Sequence, residues 1–459
     1  MEFYRNAEED LAQWKTSEYR KPLVIRGARQ TGKTTLVRKF GRSFDTFIEL
    51  NLETEQDRKL FDNDLAVFDL VQYICLEKGV VRQGKTLLFL DEIQYSPRAV
   101  MLMRYFYENM PDLYVISAGS LLEIMMEKNK ISFPVGRVEY LYLFPMNFRE
   151  FLQALDEKAA LSYYLQTPIP AIAHDKLSRL FRLYSFIGGM PEAVSRYAET
   201  RDLSRLSDVY SALLTGFADD VSKYASTPHE SDVIRHIIET ASKESGNRIT
   251  FEKFGNSGYR SIDVSTGMRK LERAMLLYLR YPVTRMEFPV TPDKKLKPRL
   301  QILDAGLMNY SVGIQAEYFR DIRLADVYRG ILAEQMVWQE MLSQSRRELK
   351  VPLFWVREKK QSNAEVDFVY AENSRMLPVE VKSGKDGSLR SLHQLIIQSD
   401  IPLAIRLFDQ PYSLLNAVTP AGNDLAGKEY QLLSLPFYCT GKIEEYLSVI
   451  GTQIHTRKS

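Results

Sequence analysis

Gly27-Ala28-Arg29-Gln30-Thr31-Gly32-Lys33-Thr34 fits the spacing G-x-x-x-x-G-K-[ST] at every position, and Thr35 follows directly. A turn opened and closed by glycine, with a lysine and a hydroxyl behind it, suits a backbone that must aim its own N–H groups at oxyanions. Leu23-Val24-Ile25 ahead of it reads as a strand and Leu36-Val37-Arg38-Lys39-Phe40 behind it as a helix. The positive end of that helix would then face the anion. In such a setting Lys33 reaches β- and γ-phosphate oxygens, and Thr34 places its hydroxyl on Mg2+.

A second group has the complementary chemistry. Leu87-Leu88-Phe89-Leu90-Asp91-Glu92 is an apolar run that ends in two acids. Carboxylates at the end of a buried strand are costly unless they meet a cation or polarise water. Asp91 is expected to hold the metal, and Glu92 to orient or deprotonate the attacking water.

A third group lies far downstream. Glu380 and Lys382 share one face of a strand by its period of two, Asp367 sits on the strand before, and Glu334 lies on a helix that can approach the same end. Three carboxylates and a lysine could hold Mg2+ for phosphodiester cleavage. The same residues could equally form a cross-strand salt bridge on a solvated face.

The elements that must position these groups read in blocks. Short apolar runs alternating with helical patterns predict an α/β layered domain with a parallel sheet over 1–150. Helical spacing dominates 151–230, broken at Gly188-Gly189 with Pro191 following. Residues 231–300 read as a winged-helix-like module, with YLRYPVT as a wing strand. Residues 301–459 read as a second α/β unit, separate from the first.

The chain has 459 residues, 45% of them hydrophobic and 26% charged, a composition of ordinary globular proteins. Its net charge of +2 neither reveals nor excludes a nucleic-acid binder. Cys75 and Cys439 stand alone, and the five histidines show no ligand spacing, which argues against a disulfide framework and a zinc site. With no apolar signal core and no membrane-length apolar run, a cytoplasmic protein is expected.

The pair GARQTGKTT and LLFLDEIQ resembles the AAA+ ATPases. With SAGSLLE, FPVGRVEYLYLFPMNFREFL and FIGGMPEAV, the chain more narrowly resembles prokaryotic AAA-family ATPases that carry a C-terminal domain of unknown function. The resemblance implies ATP hydrolysis. It offers Ser117 or Ser120 as a γ-phosphate sensor, although Ser120 suits a helix N-cap equally well. It offers Arg137 as a transition-state charge, in cis or from a neighbouring subunit, against an ordinary surface arginine. The turn at Gly188–Pro191 reads first as a helix break and could also pack near the nucleotide base.

The C-terminal group resembles the PD-(D/E)xK nuclease fold. On that resemblance Asp367 and Glu380 bind metal, Lys382 orients water, and Glu334 and Gln394 assist. The chain departs from AAA+ machines in two ways: no lid arginine stands in the usual sensor context, and no aromatic pore loop is present. A switch is therefore expected sooner than a threading motor. The partners this reading allows are ATP and DNA, or a protein partner gated by the nucleotide, with assembly into oligomers left open.

Overall fold

The computed structural model describes residues 2–120, 122, 124, 133–134, 136–314, 326–357, 364–372, 375–383, 389–420 and 427–456. Five parallel strands come first: β1 (Leu23–Arg26), β2 (Thr46–Asn51), β3 (Thr86–Asp91), β4 (Leu113–Gly119) and β5 (Glu139–Tyr142). They lie side by side in the order β2-β3-β4-β1-β5. Every residue of β3 and β4 is buried, as runs without polar alternation must be when helices cover both faces. β2 alternates buried and half-buried side chains because it forms an edge of the sheet.

The helices Val67–Glu77 and Pro97–Asn109 cover one face, packing Ile74, Met103 and Phe106 with Leu88 and Leu90. The helices Ala7–Thr16 and Lys33–Gly41 cover the other, packing Trp14, Leu36 and Val37 with Ile25 and Phe89. All five strands run the same way, so their C-terminal ends align. Asn51 pairs with Asp91, Leu90 with Ser117, and Arg26 with Gly119. Open parallel sheets present their ligand sites along this edge.

A helical region follows. The helix Phe148–Ala154 opens on a capping box between Asn147 and Glu150. The helix His174–Ile187 stops at Gly188, whose φ of 74° suits glycine, and Pro191 opens the helix Pro191–Thr200. The helix Ser207–Asp219 leads through a short turn of helix, Val221–Tyr224, into the next region.

There the helices Pro228–Ala241 and Ser261–Arg273 pack Val233, Ile237, Val264 and Met268 together. They also pack against β6 (Leu277–Arg280) and β8 (Arg299–Ile302), which form a two-stranded antiparallel sheet. That sheet straddles the boundary expected at 300/301. The expected single wing strand also divides, because Pro282 has no N–H to continue a ladder. Beyond Tyr281 the chain forms β7 (Pro282–Val283) and joins the next sheet.

The C-terminal sheet contains β9 (Leu353–Val356), β10 (Glu365–Glu372), β11 (Arg375–Lys382), β12 (Leu403–Phe408), β13 (Ser413–Val418) and β14 (Glu429–Pro436). Its order is β13-β14-β12-β11-β10-β9-β7. The helix Asp326–Ser343 packs against β11. This unit is not separate in its packing. Phe148, Phe181 and Tyr184 of the helical region share one buried cluster with Trp338, Phe368 and Leu433. Among the described residues no helix is long and apolar enough to cross a membrane.

Candidate active site

The loop after β1 takes its shape from a few contacts. A side chain at Gly27 would put Cβ 2.3 Å from the carbonyl oxygen of Leu143, so glycine is required there. Gln30 and Gly32 both have positive φ, 65° and 92°, which curls the backbone around the start of the helix Lys33–Gly41. Thr31 Oγ1 donates to the Ala28 carbonyl at 2.9 Å. Arg5 braces the loop from outside: its guanidinium donates to the carbonyls of Thr31 (2.8 Å) and Phe144 (2.6 Å) and pairs with Glu150 at 3.1 Å.

Lys33 is buried, and its ammonium donates to the carbonyls of Gly27 (2.9 Å) and Ala28 (2.8 Å). Burial pushes its pKa down to about 8, against the pull of Glu92 and Asp91. Thr34 donates its hydroxyl to Asp91 Oδ2 at 2.7 Å. Thr35 follows on the first turn of the same helix and lines the neighbouring cavity.

In an extended strand Asp91 and Glu92 would point to opposite faces. Glu92 instead takes the left-handed conformation, φ 51°, as the chain leaves β3. That is a strained choice for a residue with a side chain. Burial raises the pKa of both carboxyls, and the positive charge of Lys33 reaches both and opposes the rise. Gln94 donates to Glu92 Oε2 and packs so closely on Gly119 that a Cβ there would lie 2.1 Å from Gln94 Oε1. A hydroxyl and a carboxylate in contact, beside a buried lysine and a second acid, are the oxygen donors and charges that Mg2+ and a polyphosphate require. The residues present fit that pair of ligands.

Beside the loop lies a cavity of about 230 Å³, lined by Phe3, Arg5, Gly32, Leu36, Met146 and Pro191 among others. Its walls mix those residues with Thr35, Lys39, Glu192 and Ser195. Pro191 thus ends the helix break and also lines this cavity beside Gly32.

Two sequence candidates are placed elsewhere. The Ser117 hydroxyl is buried and lies 3.5 Å from the carbonyl oxygen of Leu23, at the far end of β1. It is directed away from the loop, so a sensor role for Ser117 is corrected; Ser120 follows β4 at the loop's edge of the sheet. Arg137 lies two residues before β5, at the N-terminal edge of the sheet, and pairs with Glu108 at 2.8 Å. A four-residue strand spans about 13 Å, so Arg137 does not reach this chain's own loop.

The C-terminal group does come together. Asp367 stands opposite Glu380 by the register of β10 and β11. Lys382 Nζ lies 2.7 Å from Glu380 Oε1, and the Val381 N–H donates to Asp367 Oδ2 at 2.9 Å. Arg299 of β8 enters the same space. It pairs with Glu334 at 2.7 Å, with Glu365 at 2.9 Å and with Asp367 at 3.6 Å. Arg248 also holds Glu365, at 2.7 Å, and buried Arg280 donates to the Asp367 carbonyl at 2.7 Å. Gln394 accepts from Arg357 at 3.4 Å.

Burial, with Asp367 nearby, raises Glu334 to about 7 and Glu380 to about 8. Among the described residues no group of three or more acidic, histidine or cysteine side chains could hold a metal ion. Glu334, Asp367, Glu380 and Lys382, expected as a Mg2+ site, lie together, tied to Arg299 and to one another by ion pairs. Arg299 and Lys382 supply positive charge in this arrangement.

Sequence reasoning passed over Arg5, Gln94, Asp220 and Arg299. Only Gln94 left a local signal, two residues after Glu92 in the same turn.

Residues 19–152 match a family profile described as an AAA domain. Residues 178–318 and 329–419 match two profiles described as domains of unknown function, DUF8612 and DUF4143. A search of curated proteins found no match. Among solved structures the chain is similar to the Walker-type ATPase PABY2304 of Pyrococcus abyssi, at 15% identity and a TM-score of 0.43, over 67% of this chain and 95% of that one.

Proposed function

We propose, from the premise that residues 19–152 are an AAA-like P-loop ATPase domain, that the chain binds ATP with Mg2+ and hydrolyses it to gate the domains that follow, as a cytoplasmic switch. The observation that carries this reading is the convergence of Lys33, Thr34, Asp91 and Glu92 at one edge of the parallel sheet. Thr34 and Asp91 would hold Mg2+, which supplies charge neutralisation at the phosphates. Lys33 exchanges its carbonyl partners for phosphate oxygens. Glu92, held by Gln94, takes a proton from the water that attacks the γ-phosphorus.

Steady-state ATP hydrolysis by wild type and Glu92→Gln tests the proposal. Equal rates would remove Glu92 from its role.

Downstream, the first reading is a nuclease-like domain acting on DNA, and the second is a partner-binding domain that cuts nothing. Arg299 pairs with Glu334, Glu365 and Asp367, which suits the second reading, while the unpartnered buried Glu380 Oε2 suits the first. DNA cleavage assayed with Mg2+ in wild type and Asp367→Ala separates them. Cleavage that is lost in the variant restores the first.

A further inference from the structure

Arg29, the third residue of the phosphate loop, forms an ion pair with Asp220. Asp220 lies at the end of the helix Ser207–Asp219, where the helical region turns toward the module that opens at Pro228. Its side chain is buried (5% exposed), whereas the Arg29 side chain is 41% exposed. The two carboxylate oxygens are divided: Oδ2 takes Arg29, and Oδ1 lies 3.2 Å from Lys223 Nζ. Lys223 also lies 3.6 Å from Glu53, just past the end of β2. Arg29 stays within electrostatic reach of Lys33 and Glu92.

A buried carboxylate stripped of every cation is strongly destabilised. Asp220 avoids that fate if Arg29 leaves, because Lys223 remains. Arg29 is long, partly solvated and rooted in the loop that would wrap the phosphates. Its planar guanidinium binds a carboxylate or a phosphate equally well by geometry. A terminal phosphate carries more negative charge than one carboxylate, and a nucleoside diphosphate has none in that position.

We propose that Asp220 is a catch for Arg29: the guanidinium pairs either with Asp220 or with the γ-phosphate of a bound nucleoside triphosphate, and binding of the triphosphate frees the Asp220 segment. This rests on the reading that the loop binds ATP. The catch makes the helical region respond to triphosphate and ignore diphosphate. It also converts occupancy of the loop into a change at the entry to the downstream module.

The test is equilibrium binding of AMP-PNP and ADP, each with Mg2+, to the full-length wild type, Asp220→Asn and Arg29→Ala. Asp220→Asn is expected to tighten AMP-PNP about tenfold with little change for ADP, within the usual range of such couplings. Arg29→Ala is expected to weaken AMP-PNP about tenfold, again sparing ADP. If AMP-PNP and ADP shift equally in both variants, the catch is overturned while the ATP reading stands. If wild type binds neither nucleotide, the ATP reading fails and the catch with it.

Hydrogen exchange on the wild type needs no variant. The Asp220, Lys223 and Ala225 amides, bonded to Gly216, Asp220 and Val221, should exchange faster with AMP-PNP than with ADP. Identical exchange with the two nucleotides would overturn the catch even if Asp220→Asn does not fold.

Discussion

Thr34 and Asp91 touch: the threonine hydroxyl on the first turn of one helix donates to the aspartate at the end of β3, 2.7 Å away. The contact ties the loop after β1 to the end of β3, across the intervening β4, and presents both oxygens to one point. Thr34→Ala should therefore weaken Mg2+-dependent nucleotide binding while leaving binding without Mg2+ nearly unchanged. Titrations with and without the metal check this. Equal losses would mean that Thr34 does not contribute to the metal's position.

Lys33→Ala should abolish measurable ATP binding. Each charge-assisted hydrogen bond to a phosphate oxygen contributes about 1.5–3 kcal/mol, so losing two costs at least a hundredfold. The fold should survive, since the side chain bonds only to the carbonyls of Gly27 and Ala28 among the described residues. Fluorescent-nucleotide titration beside circular dichroism reads both.

Glu92→Gln should keep binding and lower turnover by about 10²–10⁴-fold. The pH profile carries a sign. Burial raises the Glu92 pKa above its ordinary value of 4.5, and a base works only when deprotonated. The acid limb of kcat/KM, which reports the free enzyme, should therefore lie above that of an exposed glutamate, with activity rising as pH climbs through it. An acid limb at or below 4.5 would assign the base elsewhere.

Arg299→Met should destabilise the protein by about 3–5 kcal/mol, since Glu365 keeps Arg248 but Glu334 and Asp367 lose their ion-pair partner in a largely buried site. Urea unfolding measures this. A change under 1 kcal/mol would show that the cluster relaxes into solvent.

Glu380 gives the same cluster a pH dependence. Its folded pKa, pushed up to about 8 by burial, exceeds the ordinary 4.5. The folded state therefore keeps a proton that the unfolded chain gives up. That contribution is complete below the unfolded value and is lost as pH rises toward 8. Thermal melts across this window should show wild type losing stability relative to Glu380→Gln as pH increases. Parallel curves would refute the shift.

Much of the nucleotide site could be read from the chain because its parts are contiguous. The loop, its strand and its helix fall within about twenty residues, and Asp91 and Glu92 adjoin. The order of strands and helices was readable for the same reason: each apolar run declares its own period. What failed was direction. The pattern around Ser117 and Arg137 marks a strand but not which end of the sheet a given side chain serves. That depends on register with β1 and on where β5 begins. Partners brought from afar were invisible as well. Arg5 meets Thr31 across 26 positions, and Arg29 meets Asp220 across 191. The C-terminal acids were found correctly as a group, but Arg299 comes from a different sheet and has no local pattern to announce it.

The short strand β7 belongs by sequence to the module yet pairs in parallel with β9, about seventy residues later. The module and the C-terminal sheet are thus stitched by main-chain bonds. A truncated polypeptide beginning at residue 301 would strip β9 of that neighbour and split the β6–β8 pair, leaving raw edges that invite aggregation. A cut before Pro228 keeps those main-chain bonds but opens the buried cluster that Phe148, Phe181 and Tyr184 share with Trp338, Phe368 and Leu433.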